Sequence, residues 1–332
     1  MPILETLPAS AYVSPPLTER TAVFGSTWQL VTHSSRLPAP GATLATTLAG
    51  WPILLVRGED GALRGFHNVC RHRASPLVWN DESPQCTHLV CPYHGWTYGL
   101  DGRLLRAPDF GGDPGASGLF PIQTTEVQGL VFVFLGTALP PLPDLSPLAG
   151  VPIEDFRFDR LVRHPLACDW KTYAENYLEG HHIPYLHPEL AREVNVASYH
   201  VHVGAAWVSH AAEVQGEGAN GGRWVWLWPN VAVNVYRSGM NLERVLPDGP
   251  GRCVVEYTYL FAEGTSVADR DETVAMSHRV TLEDRRMVEA VQRNLAAGVY
   301  RTGSLSPKHE RGVEAFQRWW TEALSPKRPT PR

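Results

Sequence analysis

Two groups of residues in this chain have the types and spacing that transition metals require. The first group is a pair of short motifs, C-x-H at residues 70–72 and C-x-x-H at residues 91–94, and each motif supplies one thiolate and one imidazole. The four candidate ligands are Cys70, His72, Cys91 and His94. This set suits either a tetrahedral zinc ion or a [2Fe–2S] cluster, in which the cysteines hold one iron and the histidines the other.

The second group is a run of histidines that follows a glutamate. On a helix, Glu179 and His182 lie three residues apart and share a face, whereas His181 points away from them. Pro184 breaks such a helix, so that His187 can return from a turn. Alone, the segment is equally compatible with an ordinary surface helix. Beside the first group it indicates a mononuclear iron held by two histidines and one carboxylate, the set typical of non-haem Fe(II) oxygenases.

The carboxylate of that set must come from a distant part of the chain, and Asp284 is the best candidate. It lies in a predicted helix over about residues 274–297, on the face that carries most of the apolar side chains. Those apolar residues are Met287, Val288, Val291 and Leu295. Glu283 and Glu289 lie off this face. A buried carboxylate is costly unless it is paired or binds a metal, which favours Asp284 as the ligand. A carboxylate that only favours the helix macrodipole would lie nearer the first turn.

The residues around the first motif pair resemble the Rieske family, whose pattern is C-x-H followed by C-x-x-H. The agreement extends to residues 68–69 and Arg73 around the first half, and to residues 95–98 after the second. Ala74 stands where the family commonly has glycine. Two residues between the motifs match no ligand position and are interpreted as structural, namely Cys86 and His88.

From about residue 24 to about residue 320, the chain is similar to the α-subunit, or terminal oxygenase, of the Rieske non-haem iron oxygenases. That family carries an acid-x-x-H-x-x-x-x-H motif and a later helical aspartate. The resemblance therefore implies that His182, His187 and Asp284 bind the mononuclear iron, and that Cys70, His72, Cys91 and His94 bind the [2Fe–2S] cluster.

The same resemblance assigns a role to Glu179. This residue falls on the bridging acid position, where many members have aspartate and a subset that acts on quaternary ammonium compounds has glutamate. Glu179 would link His182 to His94 of an adjacent chain in a ring-shaped homotrimer. We predict that Glu179 and Asn176 are catalytic, and the Asn-Tyr-Leu-Glu-Gly sequence around them favours the choline-monooxygenase-like branch. His181 stands where tyrosine is common and is not included among the ligands.

The patterning predicts an α+β protein with two domains. Short strands with glycine-containing turns predict a small all-β domain over residues 22–138, which the resemblance identifies as the Rieske domain, and a stretch with five prolines follows it. Residues 1–21 and 139–332 form the predicted catalytic domain. The resemblance implies a helix-grip (START/Bet v 1-like) fold there, with an antiparallel sheet and long C-terminal helices. Three alternating tryptophans are interpreted either as sheet packing or as a pocket wall, namely Trp224, Trp226 and Trp228.

Composition excludes several classes of partner. The net charge of −5 over 332 residues is not that of a nucleic-acid-binding protein. No signal peptide or membrane-spanning run is present in the sequence, so we expect a soluble, cytoplasmic protein. The glycine runs at residues 111–112 and 216–222 lack the strand–GxGxxG–helix context of a dinucleotide site. Electrons must then come from a separate reductase or ferredoxin, driven by NAD(P)H.

These observations predict a terminal oxygenase, either a monooxygenase or a dioxygenase. It would use O2 to hydroxylate or oxidatively dealkylate a small organic substrate, a quaternary ammonium or an aromatic compound. Two alternatives remain open at this stage. One is a Rieske electron-transfer protein without oxygen chemistry, and the other is a zinc-stabilised ligand-binding module.

Overall fold

The computed structural model describes residues 4–79, 85–112, 115, 118–193, 195, 198–212 and 222–325. The glycine run predicted as a loop lies, over residues 216–221, outside this part of the chain. The chain divides into two compact units, one formed by Met1–Val23 and Pro141–Arg332 and the other by Phe24–Pro140. No helix in the described ranges is long and apolar enough to cross a membrane.

The smaller unit is built from β-strands. Strand β1 (Leu4–Glu5) and helix α1 (Ser10–Val13) come before it and belong to the larger unit. Its own strands are β2 (Gln29–His33), β3 (Thr43–Leu48), β4 (Trp51–Arg57), β5 (Leu63–His67), β6 (Leu89–Val90), β7 (Thr97–Tyr98), β8 (Leu104–Arg106), β9 (Pro121–Val127) and β10 (Leu130–Phe134). They form a six-stranded antiparallel sheet in the order β2-β10-β9-β5-β4-β3 and a three-stranded sheet in the order β6-β7-β8.

Strand β10 shows why the larger of these sheets forms. All five of its residues are apolar and buried, and it pairs with β2 on one side and β9 on the other. A continuous apolar run is typical of such a fully covered strand. The three-stranded sheet positions one of the two cysteine motifs. Strands β6 and β7 form a hairpin whose connecting loop contains residues 91–96, so the hairpin fixes the second cysteine motif.

The larger unit has a seven-stranded antiparallel sheet in the order β11-β17-β16-β15-β14-β13-β12. Its strands are β11 (Arg157–Leu166), β12 (His200–Val203), β13 (Trp207–Ala211), β14 (Arg223–Leu227), β15 (Val231–Val235), β16 (Gly239–Pro247) and β17 (Cys253–Phe261), and β18 (Ser304–Leu305) pairs with β1. The helices are α2 (Trp170–Tyr177), α3 (Ile183–Leu186), α4 (Leu190–Glu193), α5 (Val267–Ala296) and α6 (Arg311–Leu324). An all-β unit and an antiparallel sheet with two long C-terminal helices confirm the predicted α+β class.

Helix α2 ends earlier than the sequence predicts. The side chain of Asp169 accepts a hydrogen bond from the backbone N–H of Lys171 and caps the helix. The helix ends at Tyr177, because the N–H of Leu178 bonds back to the last turn, so Glu179 and His182 do not share the helix on which the sequence analysis placed them. Pro184 does not break a helix. It lies in the first turn of α3, where the missing N–H of proline has no partner to lose.

Helix α5 turns a more polar face inward than predicted. Its buried residues are Thr281, Asp284, Val288, Gln292 and Leu295. The prediction was wrong for Met287 and Val291, which are 47% and 39% exposed. The physical reason is that the inward face makes hydrogen bonds. Gln292 accepts one from the backbone N–H of Asp169, and the hydroxyl of Thr281 lies 2.9 Å from that of Tyr257.

Candidate metal centres and pocket

The first motif pair forms a site in the smaller unit. The thiols of Cys70 and Cys91 are buried, and the rings of His72 and His94 lie with their centroids 4.6 Å apart. The hydroxyl of Tyr98 lies 3.3 Å from the sulfur of Cys70. Within the described chain, Nδ1 of His72 is buried and has no hydrogen-bond partner. A buried nitrogen without a hydrogen-bond partner is costly, and coordination to a metal would satisfy it. Two thiolates and two imidazoles in one cradle fit a [2Fe–2S] cluster.

The two loops of this site repeat the same backbone geometry. In the first loop the N–H of Ala74 bonds to the carbonyl of Cys70 at 3.0 Å, and in the second the N–H of Gly95 bonds to that of Cys91 at 3.0 Å. The φ angles of Ala74 and Gly95 are +58° and +69°. This left-handed conformation suits glycine and costs an L-residue roughly 1–2 kcal/mol. Ala74, the departure from the family pattern, therefore carries backbone strain.

Aromatic rings cover part of this site. The ring of Trp96 stacks on that of His72 at a centroid distance of 5.1 Å with 4° between the planes. Phe110 meets both of these rings edge-on, at 5.7 Å from His72 and 5.1 Å from Trp96. His94, in contrast, is exposed. The site thus has two buried sulfurs and one imidazole covered by aromatic rings, that of His72, whereas His94 is its exposed member.

The second group forms a triad in the larger unit. Nε2 of His187 lies 3.0 Å from Oδ1 of Asp284, and Nε2 of His182 lies 3.8 Å from the same oxygen. One ligand atom from each of these three residues lies within 4.8 Å of the other two. His187 and Asp284 are buried and His182 is partly buried. Two imidazole nitrogens and one carboxylate oxygen that converge in this way could hold one metal ion with positions left open.

Each member of the triad is held by a second hydrogen bond. Nδ1 of His182 lies 2.5 Å from Oε1 of Glu179, and Nδ1 of His187 lies 2.6 Å from Oε2 of Glu283. Asn176 on α2 donates to Oδ1 of Asp284 at 2.8 Å. A carboxylate that accepts the Nδ1 proton leaves the Nε2 lone pair free for a metal. The surroundings of the triad therefore fit a metal ion, and Asn176 and Glu179 lie directly beside it.

Burial and charge act in opposite directions on the titratable groups of this site. Burial lowers the pKa of His187, but hydrogen bonds and attraction from Asp284 and Glu283 outweigh it and raise that pKa overall. Complete burial lowers the pKa of His210 to about 3, with a contribution from His182. His210 is therefore neutral, and its Nδ1 lies 2.5 Å from the hydroxyl of Tyr199.

The triad opens onto a cavity of about 170 Å³. Its wall carries six aromatic residues besides histidine, namely Tyr173, Tyr177, Tyr199, Trp224, Tyr236 and Tyr257. Glu243 on β16 also lines it and accepts hydrogen bonds from Tyr173, Tyr257 and Asn234. A cavity of roughly 150 Å³ holds a molecule the size of benzene, so this one suits a small organic compound.

The structure separates several residues that the sequence grouped together. His181 lies outside the triad and stacks on His309 with centroids 4.6 Å apart. Trp224 lines the cavity, whereas Trp226 is fully buried against Tyr177 and Phe316. Trp228 lies beyond the end of β14 and packs against Phe316 and Trp319. The tryptophans thus divide between pocket wall and core. Between the cysteine motifs, Cys86 donates to a backbone carbonyl and His88 contacts Thr87.

Other residues of the site were missed from the sequence. Glu283 was placed off the face of Asp284, yet its carboxylate reaches back to His187. The adjacent Glu-Asp pair could have indicated that Glu283 also reaches the site. Neighbours on a helix lie about 100° apart, and a long glutamate side chain can span that difference. Glu243 and the cavity tyrosines come from separate strands and helices, and no local pattern connects them.

Comparisons with known proteins agree with this geometry. The family described as Rieske [2Fe-2S] domain matches residues 27–123, which contain both cysteine motifs. The family described as ring hydroxylating alpha subunit (catalytic domain) matches residues 153–326, which contain the triad.

Individual relatives extend over most of the chain. Chloroplastic choline monooxygenase of Beta vulgaris is 30% identical over 96% of this chain and 77% of the relative. The carnitine monooxygenase oxygenase subunit of Escherichia coli (strain K12) is 28% identical over 85% of this chain and 82% of the relative. One similar solved structure is a quaternary ammonium Rieske monooxygenase, described with carnitine oxidation and inter-subunit electron transfer. It has a TM-score of 0.87 and 25% identity, and covers 97% of this chain and 96% of that one.

Proposed function

The chain belongs to the Rieske non-haem iron oxygenases as a terminal oxygenase of the ring-hydroxylating α-subunit type, and from this premise we propose that it oxidises a small quaternary ammonium compound. Its cofactors are a Rieske [2Fe–2S] cluster and a mononuclear iron. Of the three functions that the sequence left open, the oxygenase is the one that the comparisons bear out. The electron carrier and the zinc-stabilised binding module are not supported.

The observation that carries the substrate proposal is the aromatic cavity beside the triad. Tyrosine and tryptophan faces attract a quaternary ammonium group by roughly 0.5–2 kcal/mol each, depending on how far the group is desolvated. Aromatic rings also line pockets for aromatic substrates, so the cavity wall alone does not separate the two classes. The names of the relatives, choline and carnitine monooxygenases, favour the quaternary ammonium class.

We assign the metal-binding roles as the motifs and the geometry suggest. Cys70, His72, Cys91 and His94 would hold the cluster, and His182, His187 and Asp284 would hold the mononuclear iron. When bound, these groups supply electron transfer and the activation of O2. Hydroxylation of a carbon bonded to nitrogen leads to cleavage of that C–N bond and so to dealkylation.

The protein side chains around the triad would orient the ligands and keep them in the correct protonation state. Glu179 and Glu283 hold the protons on the Nδ1 atoms of His182 and His187, which keeps both Nε2 atoms directed at the metal position. Asn176 fixes one oxygen of Asp284. The cavity tyrosines exclude bulk water from the reacting carbon.

We propose further that Glu179 links two metal centres in a homotrimer. Its carboxylate accepts from the backbone N–H groups of His181 and His182 as well as from the His182 ring. In the bridging role it would connect His182 with His94 of the partner subunit, which is exposed on its own loop. Sedimentation equilibrium should give a trimer, and a fully active monomer would contradict the bridge.

Electrons would come from a separate reductase or ferredoxin. NADH alone should leave the visible spectrum of the purified chain unchanged, and adding a surrogate reductase should bleach it. Reduction by NADH without a partner would contradict this part of the proposal.

An oxygen-uptake screen tests the substrate class. The iron-loaded protein, a surrogate reductase and NADH are combined with aromatic acids, heterocycles and quaternary amines, and products are identified by mass after incubation with ¹⁸O2. We expect substrate-dependent uptake with a quaternary amine and an aldehyde as the second product. Uptake with aromatic acids alone would contradict the proposal. The Asp284→Ala variant, in which the cluster ligands are untouched, is the matched control for uptake that bypasses the mononuclear site.

A further inference from the structure

Apart from the histidines, the ionisable side chains with ordinary charges at neutral pH that line the described cavity are all carboxylates. Among the described lining residues there are three carboxylates and neither lysine nor arginine, and the carboxylates are Glu179, Glu243 and Asp284. The undescribed segments within the larger unit that precede residue 326 also contain no lysine or arginine. Two of the three carboxylates are already used by the triad and its histidines. Glu243 is the one that remains.

Glu243 receives hydrogen bonds from neutral groups alone in the described chain. The hydroxyls of Tyr173 and Tyr257 donate to Oε1 at 2.6 and 2.9 Å, and the amide of Asn234 donates to Oε2 at 2.9 Å. Asn234 is itself held by Tyr177, whose hydroxyl donates to it at 2.7 Å. The carboxylate is thus firmly positioned on the cavity wall, and in the part of the chain that the structure describes no lysine or arginine contacts it. Burial raises its pKa, and the three donors oppose that rise by stabilising the charged form.

The next residue along the same strand shows the contrast. Residues on a strand alternate between faces, so Glu243 faces the cavity and Arg244 the opposite side of the sheet. There Arg244 pairs with the buried Glu256, which Arg163 also contacts at 2.7 Å. In α2, the buried Lys171 likewise pairs with Asp169 and Glu19. Glu256 and Asp169 therefore have cationic partners, whereas Glu243 has none among the described residues at the place where a substrate would lie.

We propose that Glu243 is the counter-ion for a cationic substrate, and that the cavity selects ammonium compounds without a carboxylate over zwitterions. This inference rests on the proposed function and narrows its substrate class. A buried carboxylate is stabilised by a cation that enters with it, and the surrounding tyrosine faces add to the attraction. The carboxylate of a zwitterion would meet no lysine or arginine among the described lining residues and would be repelled by Glu243.

Three ligands of similar size test the proposal on the unmodified protein. They are choline, a cation; glycine betaine, a zwitterion; and 3,3-dimethylbutan-1-ol, which replaces the nitrogen of choline by carbon and is neutral. Binding to the iron-loaded protein without O2 is measured by calorimetry. Removing one partner of a buried charge pair costs enough to weaken binding roughly 30-fold. We expect choline to bind at least that much more tightly than either of the other two.

The Glu243→Gln variant removes the negative charge of the side chain and keeps its size and shape. We expect its affinity for choline to fall by roughly 30-fold, while its affinity for the neutral alcohol stays within about twofold of the original. The ratio of choline to glycine betaine binding should fall as well. Iron content and the visible spectrum of the cluster verify that the variant is folded and loaded. If the variant does not fold, the binding of the three ligands to the unmodified protein still tests the proposal.

Glu175→Gln is the matched control. Glu175 is a partly buried glutamate that is also bonded by neutral groups, namely Tyr12 and Gln317, and it is not among the lining residues of the cavity. Its loss should leave the order of the three ligands unchanged. Equal loss of choline binding in both variants would indicate a general effect on the fold and overturn the specific role of Glu243.

The outcomes separate this inference from the proposed function. Equal or tighter binding of glycine betaine, or equal binding of the neutral alcohol, would overturn the role of Glu243. Turnover of any quaternary amine would nevertheless leave the proposed function standing. If no quaternary amine binds or is oxidised by protein with full iron content, both proposals fail together.

Discussion

The two candidate metal centres are built in different ways. The cysteine–histidine site takes its ligands from two short loops of one all-β unit, and each loop is closed by its own backbone hydrogen bonds. The histidine–aspartate triad takes its ligands from the turn between α2 and α3, from the end of α3 and from the middle of α5. We call the cysteine–histidine site the local site, because its residues lie close together in the sequence. We call the histidine–aspartate triad the assembled site, because its residues come from distant parts of the chain.

This difference has a physical consequence for how each site is kept in place. Turn geometry can position the local site, because the ligands lie within a few residues of the hydrogen bonds that hold them. The assembled site cannot rely on local geometry. Each member of the triad makes a second hydrogen bond: His182 donates to Glu179, His187 donates to Glu283, and Asp284 accepts from Asn176. Changes at these positions should therefore affect the two sites independently.

The largest effect is expected when the assembled site loses a ligand. Asp284→Ala should abolish substrate oxidation and lower the iron content from about three to about two atoms per chain, with the red-brown colour of the cluster retained. Metal analysis and visible absorption measure the two sites separately. An unchanged iron content would rule out Asp284 as a ligand.

A loss of similar size in turnover, without metal loss, is expected at Glu179. Glu179→Ala should leave both metals largely bound and abolish coupled turnover, because the carboxylate would no longer join the two centres. A single-turnover measurement with pre-reduced protein tests this. Product formed at the original rate would refute the bridging role, whereas His181→Ala, a change in a neighbour outside the triad, should retain turnover.

A smaller effect is expected at Glu283. Glu283→Gln keeps an acceptor near Nδ1 of His187 and removes its charge, so the mononuclear iron should bind about 10–100-fold more weakly. Competition with a graded series of chelators measures this affinity. Glu289→Gln, on the same helix and bonded to Arg285 and the backbone of residue 167, is the control. Equal losses in the two variants would argue against a specific role for Glu283.

The smallest effect is expected in the local site. Ala74→Gly removes a methyl group from a residue with φ of +58° and should raise the stability of the loop by about 1 kcal/mol. Slower loss of visible absorption during thermal unfolding would report this gain. No change, or a faster loss, would show that the alanine is not strained there.

Much of the molecule could be predicted because its signals are local. The C-x-H and C-x-x-H motifs define the first site almost completely, since the loop that holds each pair is only a few residues long. The histidines of the triad and Asp284 were found through a motif and a helical face, although part of that face was assigned wrongly.

The rest required the tertiary structure, because it depends on which distant side chains meet. The sequence alone determined the family resemblance and indicated the types of the candidate ligands. The structure decided that α2 ends before Glu179, that Glu283 reaches His187, and that Glu243 faces an aromatic cavity. Strand alternation can place Glu243 and Arg244 on opposite faces of a sheet. It cannot say which face meets a cavity, because that depends on the helices that pack against the sheet.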